Sequence, residues 1–170
     1  MKIFLIGLPG SGKSTLGKKL AKFLKLIFVD LDTVIEQTAK QPIRTIFAEQ
    51  GEDKFRKLEQ QALHQVIEQQ EKFVLATGGG APCFFDNMEV MNQAGITFYL
   101  DIPVPVIIAR MQKEQIANRP LLHGMNTKDL EQAFAKKFAH RLPTYQQAQH
   151  TLPYPIDVAY AGQVIQETRS

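Results

Sequence analysis

The chain has 170 residues, 44% hydrophobic and 22% charged, which suits one domain with a proper core and excludes a disordered protein. Lysine and arginine number 20 against 17 aspartates and glutamates, and so small an excess is covered by a polyphosphate site without a nucleic-acid partner. Cys83 is the single cysteine, which excludes an internal disulfide and suits a reducing compartment, and no apolar run approaches membrane-spanning length.

Lys2-Ile3-Phe4-Leu5-Ile6 is a short apolar, β-branched run that reads as a buried strand. It breaks at Gly7, too soon for a signal-peptide core, so the expectation is a soluble, cytoplasmic single domain over 1–170. Gly7-Leu8-Pro9-Gly10-Ser11-Gly12-Lys13-Ser14 then matches G-x-x-x-x-G-K-[ST], the phosphate-binding loop. Beyond Ser14, Leu16, Leu20, Phe23 and Leu24 recur at helical spacing, with Lys18, Lys19 and Lys22 on the other face. Strand, loop and helix in register make the motif specific, where a Gly-rich turn alone would not.

The residue types follow from the chemistry. Glycines at 7, 10 and 12 let backbone N–H groups approach phosphate oxygens with no Cβ in the way. A helix starting near Lys13 aims its unpaired N–H groups and positive dipole end at the same anion. Lys13 can reach the β- and γ-phosphates, and the Ser14 hydroxyl suits a Mg²⁺ ligand. The chain is therefore expected to bind a nucleoside triphosphate with Mg²⁺.

Leu26-Ile27-Phe28-Val29 predicts a second strand ending at Asp30-Leu31-Asp32, followed by a helical stretch through Ile35 and Glu36. Pro42 opens another helix, carrying Ile43, Ile46 and Phe47 to a stop at Gly51, and a longer one runs through Phe55, Leu58, Ala62, Val66 and Ile67. Phe73-Val74-Leu75-Ala76 is strand three, ending in Thr77-Gly78-Gly79-Gly80. Asp86 and Glu89 have capping-box spacing for a helix stopping at Gly95, and Ile96–Leu100 is strand four. Pro103 opens a helix with Val106, Ile107 and Arg110. The segment 112–124 is polar and reads as irregular; Asn126 then caps a long helix with the stripe Leu130, Phe134, Phe138, Leu142 and Tyr145. Tyr154 to Ala159 reads as a short fifth strand. Such alternation implies a parallel sheet with helices on both faces, and ligand-binding loops at the C-terminal strand ends.

Asp30 and Asp32, which follow strand two, can hold Mg²⁺ directly or through water, or take a proton from a hydroxyl nucleophile. A helix N-cap is the competing reading, and a serious one for Asp32. Arg56, among Lys54, Lys57 and Glu59, taken alone is a solvated charge paired with Glu59 or Glu52, and Arg141 is as ordinary. Arg119 lies in Asn118-Arg119-Pro120-Leu121-Leu122, where a mobile loop bearing one arginine would suit a lid over the triphosphate; a plain connector is the other reading. Three glycines at 78–80 favour close backbone approach to a ligand over a loose turn.

Taken in order across about 1–147, these residues resemble shikimate kinase: the phosphate loop, Asp30-x-Asp32, Phe55-Arg56-x-x-Glu59, Gly78-Gly79-Gly80-Ala81, Arg119-Pro120-Leu121-Leu122, and Arg141 with Tyr145. The resemblance implies an α/β, P-loop NTPase-type three-layer αβα fold like the nucleoside-monophosphate kinases, with a five-stranded parallel sheet. It also implies a substrate-binding segment at about 32–60 and a short lid at about 112–124. It implies ATP-dependent phosphorylation of the 3-hydroxyl of shikimate by a monomer, with ATP and shikimate as partners and neither nucleic acid nor membrane.

The nucleotide site so implied comprises Gly10, Ser11, Gly12, Lys13, Ser14, Thr15, Arg110 and Arg119, with Arg110 against adenine. Ser14 ligates Mg²⁺ and Asp30 helps through water; Lys13, Asp32 and Arg119 are catalytic, Asp32 as base. Asp32, Arg56, Gly78, Gly79, Gly80 and Arg141 bind substrate, the two arginines gripping its carboxylate. Many members carry a basic, Pro-containing adenine loop after strand five, and here Tyr160-Ala161-Gly162-Gln163 is expected in that place, without arginine or proline. Gluconate kinase, whose acceptor is also a carboxylated polyol, is the nearest rival; a regulatory module that binds nucleotide without catalysis is another.

Overall fold

In the computed structural model, which describes residues 1–118 and 127–168, the strands are β1 (Lys2–Ile6), β2 (Ile27–Asp30), β3 (Phe73–Ala76), β4 (Ile96–Asp101) and β5 (His150–Pro153). They form one parallel sheet in the order β2-β3-β1-β4-β5. The most apolar run, β1, is central: Ile3 pairs with Val74 on one side and Ile96 on the other. A strand covered on both faces needs no polar alternation, and Ile3, Phe4, Leu5, Ile6, Phe73, Val74 and Leu75 are all buried. Phe4 and Phe73 meet edge to face, their centroids 5.5 Å apart.

The helices are α1 (Lys13–Leu24), α2 (Leu31–Ala39), α3 (Ile43–Gln69), α4 (Asn87–Ala94), α5 (Val104–Asn118), α6 (Thr127–Tyr145) and α7 (Val158–Glu167). From β1 the chain crosses through α1 to one edge of the sheet, and from β3 through α4 back across β1 to the other side. Right-handed crossovers in opposite directions put α1 and α4 on opposite faces, and the crevice opens where the direction changes, at the C-terminal end of β1. The phosphate loop occupies that place.

Three segments differ from expectation. The expected stop at Gly51 is a kink within α3, at φ 78° and ψ 173°, so the helical path resumes in a new direction before Arg56. Residues 112–118 continue α5 rather than forming an irregular lid, while Arg119, Asn126 and the rest of the expected lid (119–124) lie outside the described residues. The fifth strand lies at 150–153, not 154–159.

Physics explains that last displacement. Pro155 lacks the N–H a ladder requires, and the Asp157 carboxylate accepts from the Ala159 N–H at 2.8 Å, capping α7. Ala161, Gly162 and Ile165 form the buried face of α7. A Cβ on Gly162 would stand 2.7 Å from the Phe23 ring, so the helix packs closely against α1. At the other predicted cap, Asp86 does precede α4, but its side chain accepts from Gln60 and makes no cap bond.

Candidate active site

The phosphate loop has the backbone its glycines allow: Gly10 and Gly12 sit at φ 77° and 94°, where a Cβ would be strained. Lys13 opens α1, and its ammonium donates to the carbonyls of Gly7 and Leu8 at 2.8 and 2.9 Å. Burial lowers the Lys13 pKa to about 8; the nearby carboxylates of Asp32 and Asp30 hold it up against that loss, and Arg141 adds to the lowering. A desolvated ammonium at the N-terminus of a helix is a strong phosphate site, because water competes little for it. The loop forms one wall of an open cleft of about 760 Å³, which Ser14, Thr15, Asp30, Asp32, Gly78, Gly79 and Arg110 also line.

The two acids differ in role. Asp30, at the end of β2, is the N-cap of α2: its Oδ1 accepts from the Asp32 N–H at 3.2 Å and its Oδ2 from the Ser14 hydroxyl at 2.8 Å. The capping role that competed for Asp32 thus belongs to Asp30, leaving the Asp32 carboxyl toward the cleft. Burial raises the Asp32 pKa, Asp30 and Glu36 push the same way, and Lys13 and Arg56 oppose them.

Ser14 and Asp30 together present a hydroxyl and a carboxylate, hard oxygen donors suited to Mg²⁺. No group of three or more His, Cys, Asp or Glu side chains among the described residues could hold a metal by itself.

Arg56 is not a solvated surface charge. It is buried, with Nη1 donating to Glu59 Oε2 at 2.7 Å and Nη2 to Glu52 Oε1 at 2.9 Å. Its guanidinium lies 4.1 Å from the Phe84 ring centroid. Burial works to lower its pKa, and the pairings with Glu59 and Glu52 more than offset that, so the guanidinium is held charged. Glu59 is 1% exposed; burial raises its pKa against the pull of Arg56, and its second oxygen, Oε1, has no partner among the described residues.

The three glycines allow close approach, though to protein atoms. A Cβ on Gly78 would stand 2.6 Å from Glu59 Oε1 and 3.2 Å from Asp32 Oδ1; one on Gly79, 2.6 Å from Pro9; one on Gly80, 2.6 Å from Arg56 Nη1. None of the three needs a left-handed backbone. Their carbonyls are all engaged: Gly78 accepts from Ala81 N–H, Gly79 from the Tyr145 hydroxyl, Gly80 from Cys83 N–H. None of their own N–H groups has an acceptor among the described residues. Gly78 and Gly79 line the cleft, and Gly80 follows them against Arg56. Arg141, near the end of α6, places charge on the same region, since it acts on Lys13, Glu59, Cys83 and Tyr145.

Arg110, on α5, donates to the Ser11 carbonyl at 3.1 Å and lies 5.9 Å from the Tyr154 ring centroid. Tyr154, Pro155 and Ile156 line the cleft beside it, and sequence reasoning missed them because it placed a strand there. Tyr160–Gln163 belong to α7, so the loop following strand five is 154–157, and it does contain a proline. The helical spacing of Ala161 and Ile165 after Asp157 was the signal available. Arg119 lies outside the described residues.

A family model described as shikimate kinase matches residues 9–159. The shikimate kinase of Phocaeicola vulgatus is 44% identical over 151 residues, covering 88% of this chain and 84% of that protein. The shikimate kinase of Clostridium botulinum is 40% identical over 150 residues, covering 88% and 85%. The crystal structure of the Bacteroides thetaiotaomicron shikimate kinase superposes with a TM-score of 0.84 at 38% identity, covering 99% of this chain and 97% of that one. That of the Acinetobacter baumannii enzyme, in complex with shikimate, gives 0.81 at 35% identity, covering 98% and 92%. The family model spans most of the chain, and relatives of 40% identity or more are covered over most of their length, so the chain belongs to the shikimate kinase family.

Proposed function

We propose that this protein transfers the γ-phosphoryl group of ATP to the 3-hydroxyl of shikimate. The observation that carries the reading is that the phosphate loop, Asp32, Gly78 and Gly79 line one cleft, with Gly80 packed on the guanidinium of Arg56 next to them. The attacking oxygen forms a bond to the γ-phosphorus as the bond to the β–γ bridging oxygen breaks, ADP leaves, and the hydroxyl proton passes to Asp32. The raised pKa of Asp32 suits that exchange, because a carboxylate too acidic would not hold the proton. Lys13 stabilises charge on the transferring group and the bridging oxygen.

The Ser14 hydroxyl, with Asp30 acting through water, would hold Mg²⁺, which offsets charge on the β- and γ-phosphates. Arg56 and Arg141 bind the acceptor carboxylate; the pairing of Arg56 with Glu52, whose side chain is 55% exposed, is the exchangeable one. Gly79 and Gly80 donate to acceptor and γ-phosphate, Arg110 lies against adenine, and Arg119 closes from a short lid that follows α5, within the expected 112–124. The working unit is a cytoplasmic monomer of one domain, with 32–60 as its acceptor-binding segment.

The test is ADP release with Mg-ATP and shikimate, gluconate or no acceptor. Turnover with shikimate alone is expected. Turnover with gluconate instead would overturn the roles of Arg56 and Arg141, and tight ATP binding without acceptor-dependent turnover would establish a regulatory module.

A further inference from the structure

We infer that Tyr145 is a positioning residue for phosphoryl transfer: its hydroxyl fixes the peptide joining Gly79 to Gly80, so that the Gly80 N–H is held toward the bound acceptor. The inference rests on the shikimate reading given above and concerns a residue no role there uses.

Tyr145 is the last residue of α6, and its side chain is fully buried, its ring tilted against Tyr99 with centroids 5.5 Å apart. Such a ring has one orientation available, and its hydroxyl donates to the carbonyl of Gly79. In a trans peptide the C=O and the following N–H point opposite ways. A bond that draws the Gly79 carbonyl toward Tyr145 therefore turns the Gly80 N–H away from it. Glycine on both sides of this peptide leaves its plane otherwise weakly constrained, since neither residue has a Cβ to restrict it.

The bond is distinctive among the three that hold the loop. Gly78 and Gly80 carbonyls accept from backbone N–H groups close in sequence, whereas Gly79 accepts from a side chain 66 residues away. On its other side Gly79 lies against Pro9 of the phosphate loop. Tyr145 thus joins α6, which also carries Arg141 one turn earlier, to the peptide between phosphate loop and Arg56. The high pKa of the phenol, pushed up to about 12 chiefly by burial, keeps it a donor throughout the working range of the enzyme.

The experiment is Tyr145→Phe, with Tyr99→Phe as control. Tyr99 contacts the same ring, but its hydroxyl goes to Asp101, away from the loop. Tyr145→Phe should raise the KM for shikimate about tenfold, with kcat reduced and the KM for ATP unchanged. It should also abolish the shift of the Gly80 amide resonance on adding shikimate, which loss of the Arg141 contact with the same oxygen would leave in place. Tyr99→Phe should leave all of these near wild type. A lowered Tm with unaltered kinetic constants, or an equal loss for ATP and shikimate, overturns the inference. Should Tyr145→Phe not fold, the Gly80 amide resonance of the wild type decides: it should shift strongly on adding shikimate to the ADP complex, and a Gly80 amide unmoved at saturation overturns the inference. Failure of the wild type to turn over shikimate is the distinct failure of the substrate reading, and the positioning role falls with it.

Discussion

Raising the pH should weaken nucleotide binding long before an ordinary lysine would titrate. Lys13 is 8% exposed, and burial brings its pKa from 10.5 down to about 8. A change of that size is worth about 3 kcal/mol against the charged form. If the ammonium form alone takes the triphosphate, about 3% of the free protein is competent near pH 9.5, against about 90% for an unperturbed lysine. Mg-ADP affinity, followed by titration calorimetry from pH 7 to about pH 9.5, should therefore fall roughly thirty-fold. Stability should move the other way. The folded pKa lies below the unfolded one, so between about pH 8 and 10.5 the unfolded chain holds more protons, and this group stabilises the fold increasingly as pH rises. The difference in stability between wild type and Lys13→Met isolates that contribution from other titrations. An affinity flat to about pH 9.5 would refute the reasoning, because it would mean that the loop leaves Lys13 with an ordinary pKa.

Other expectations concern single positions. Asp32→Asn should lower kcat about 10³-fold while ADP affinity survives, and a parallel loss of nucleotide affinity would place Asp32 in the phosphate site instead. Because burial and Asp30 raise the Asp32 pKa, the acid limb of kcat/KM for the acceptor should lie above the ordinary carboxylate value of 3.8. A limb at or below that value would count against Asp32 as the base. Arg141→Ala should raise the acceptor KM at least tenfold with little effect on ATP, as kinetics with each substrate varied will show. Gly17→Ala puts a Cβ 2.5 Å from the Phe28 ring in the contact between α1 and β2, and should cost about 1–3 kcal/mol in denaturant unfolding with kinetic constants intact.

Much of the architecture was legible because its signals are local. An apolar run, a glycine-rich loop and a helical stripe within residues 2–24 describe a strand, an anion site and a helix with no need of distant partners. The same holds for Gly51, where the expected stop became a kink, since a left-handed glycine interrupts helical geometry wherever the chain goes next. The region after β4 was less legible. His150–Pro153 has just one buried apolar residue, Leu152, and offers little periodicity; what makes it a strand is the β4 edge beside it. Misplacing it by a few residues hid α7 and moved the loop beside Arg110 from 154–157 to 160–163.

The candidate site divides in the same way. The sequence alone determined the phosphate loop and the order of Asp32, Arg56, Gly78–Gly80 and Arg141, because motif chemistry resides in residue type and spacing. Tertiary structure alone decided which acid caps the helix, why Arg56 is buried between two carboxylates and a phenyl ring, and what presses on each glycine. It also made Tyr145, which in sequence ends an apolar stripe and accompanies Arg141 in the family pattern, the partner of a carbonyl 66 residues away. Burial and hydrogen-bond direction depend on neighbours brought together by packing, and no spacing along one element encodes them.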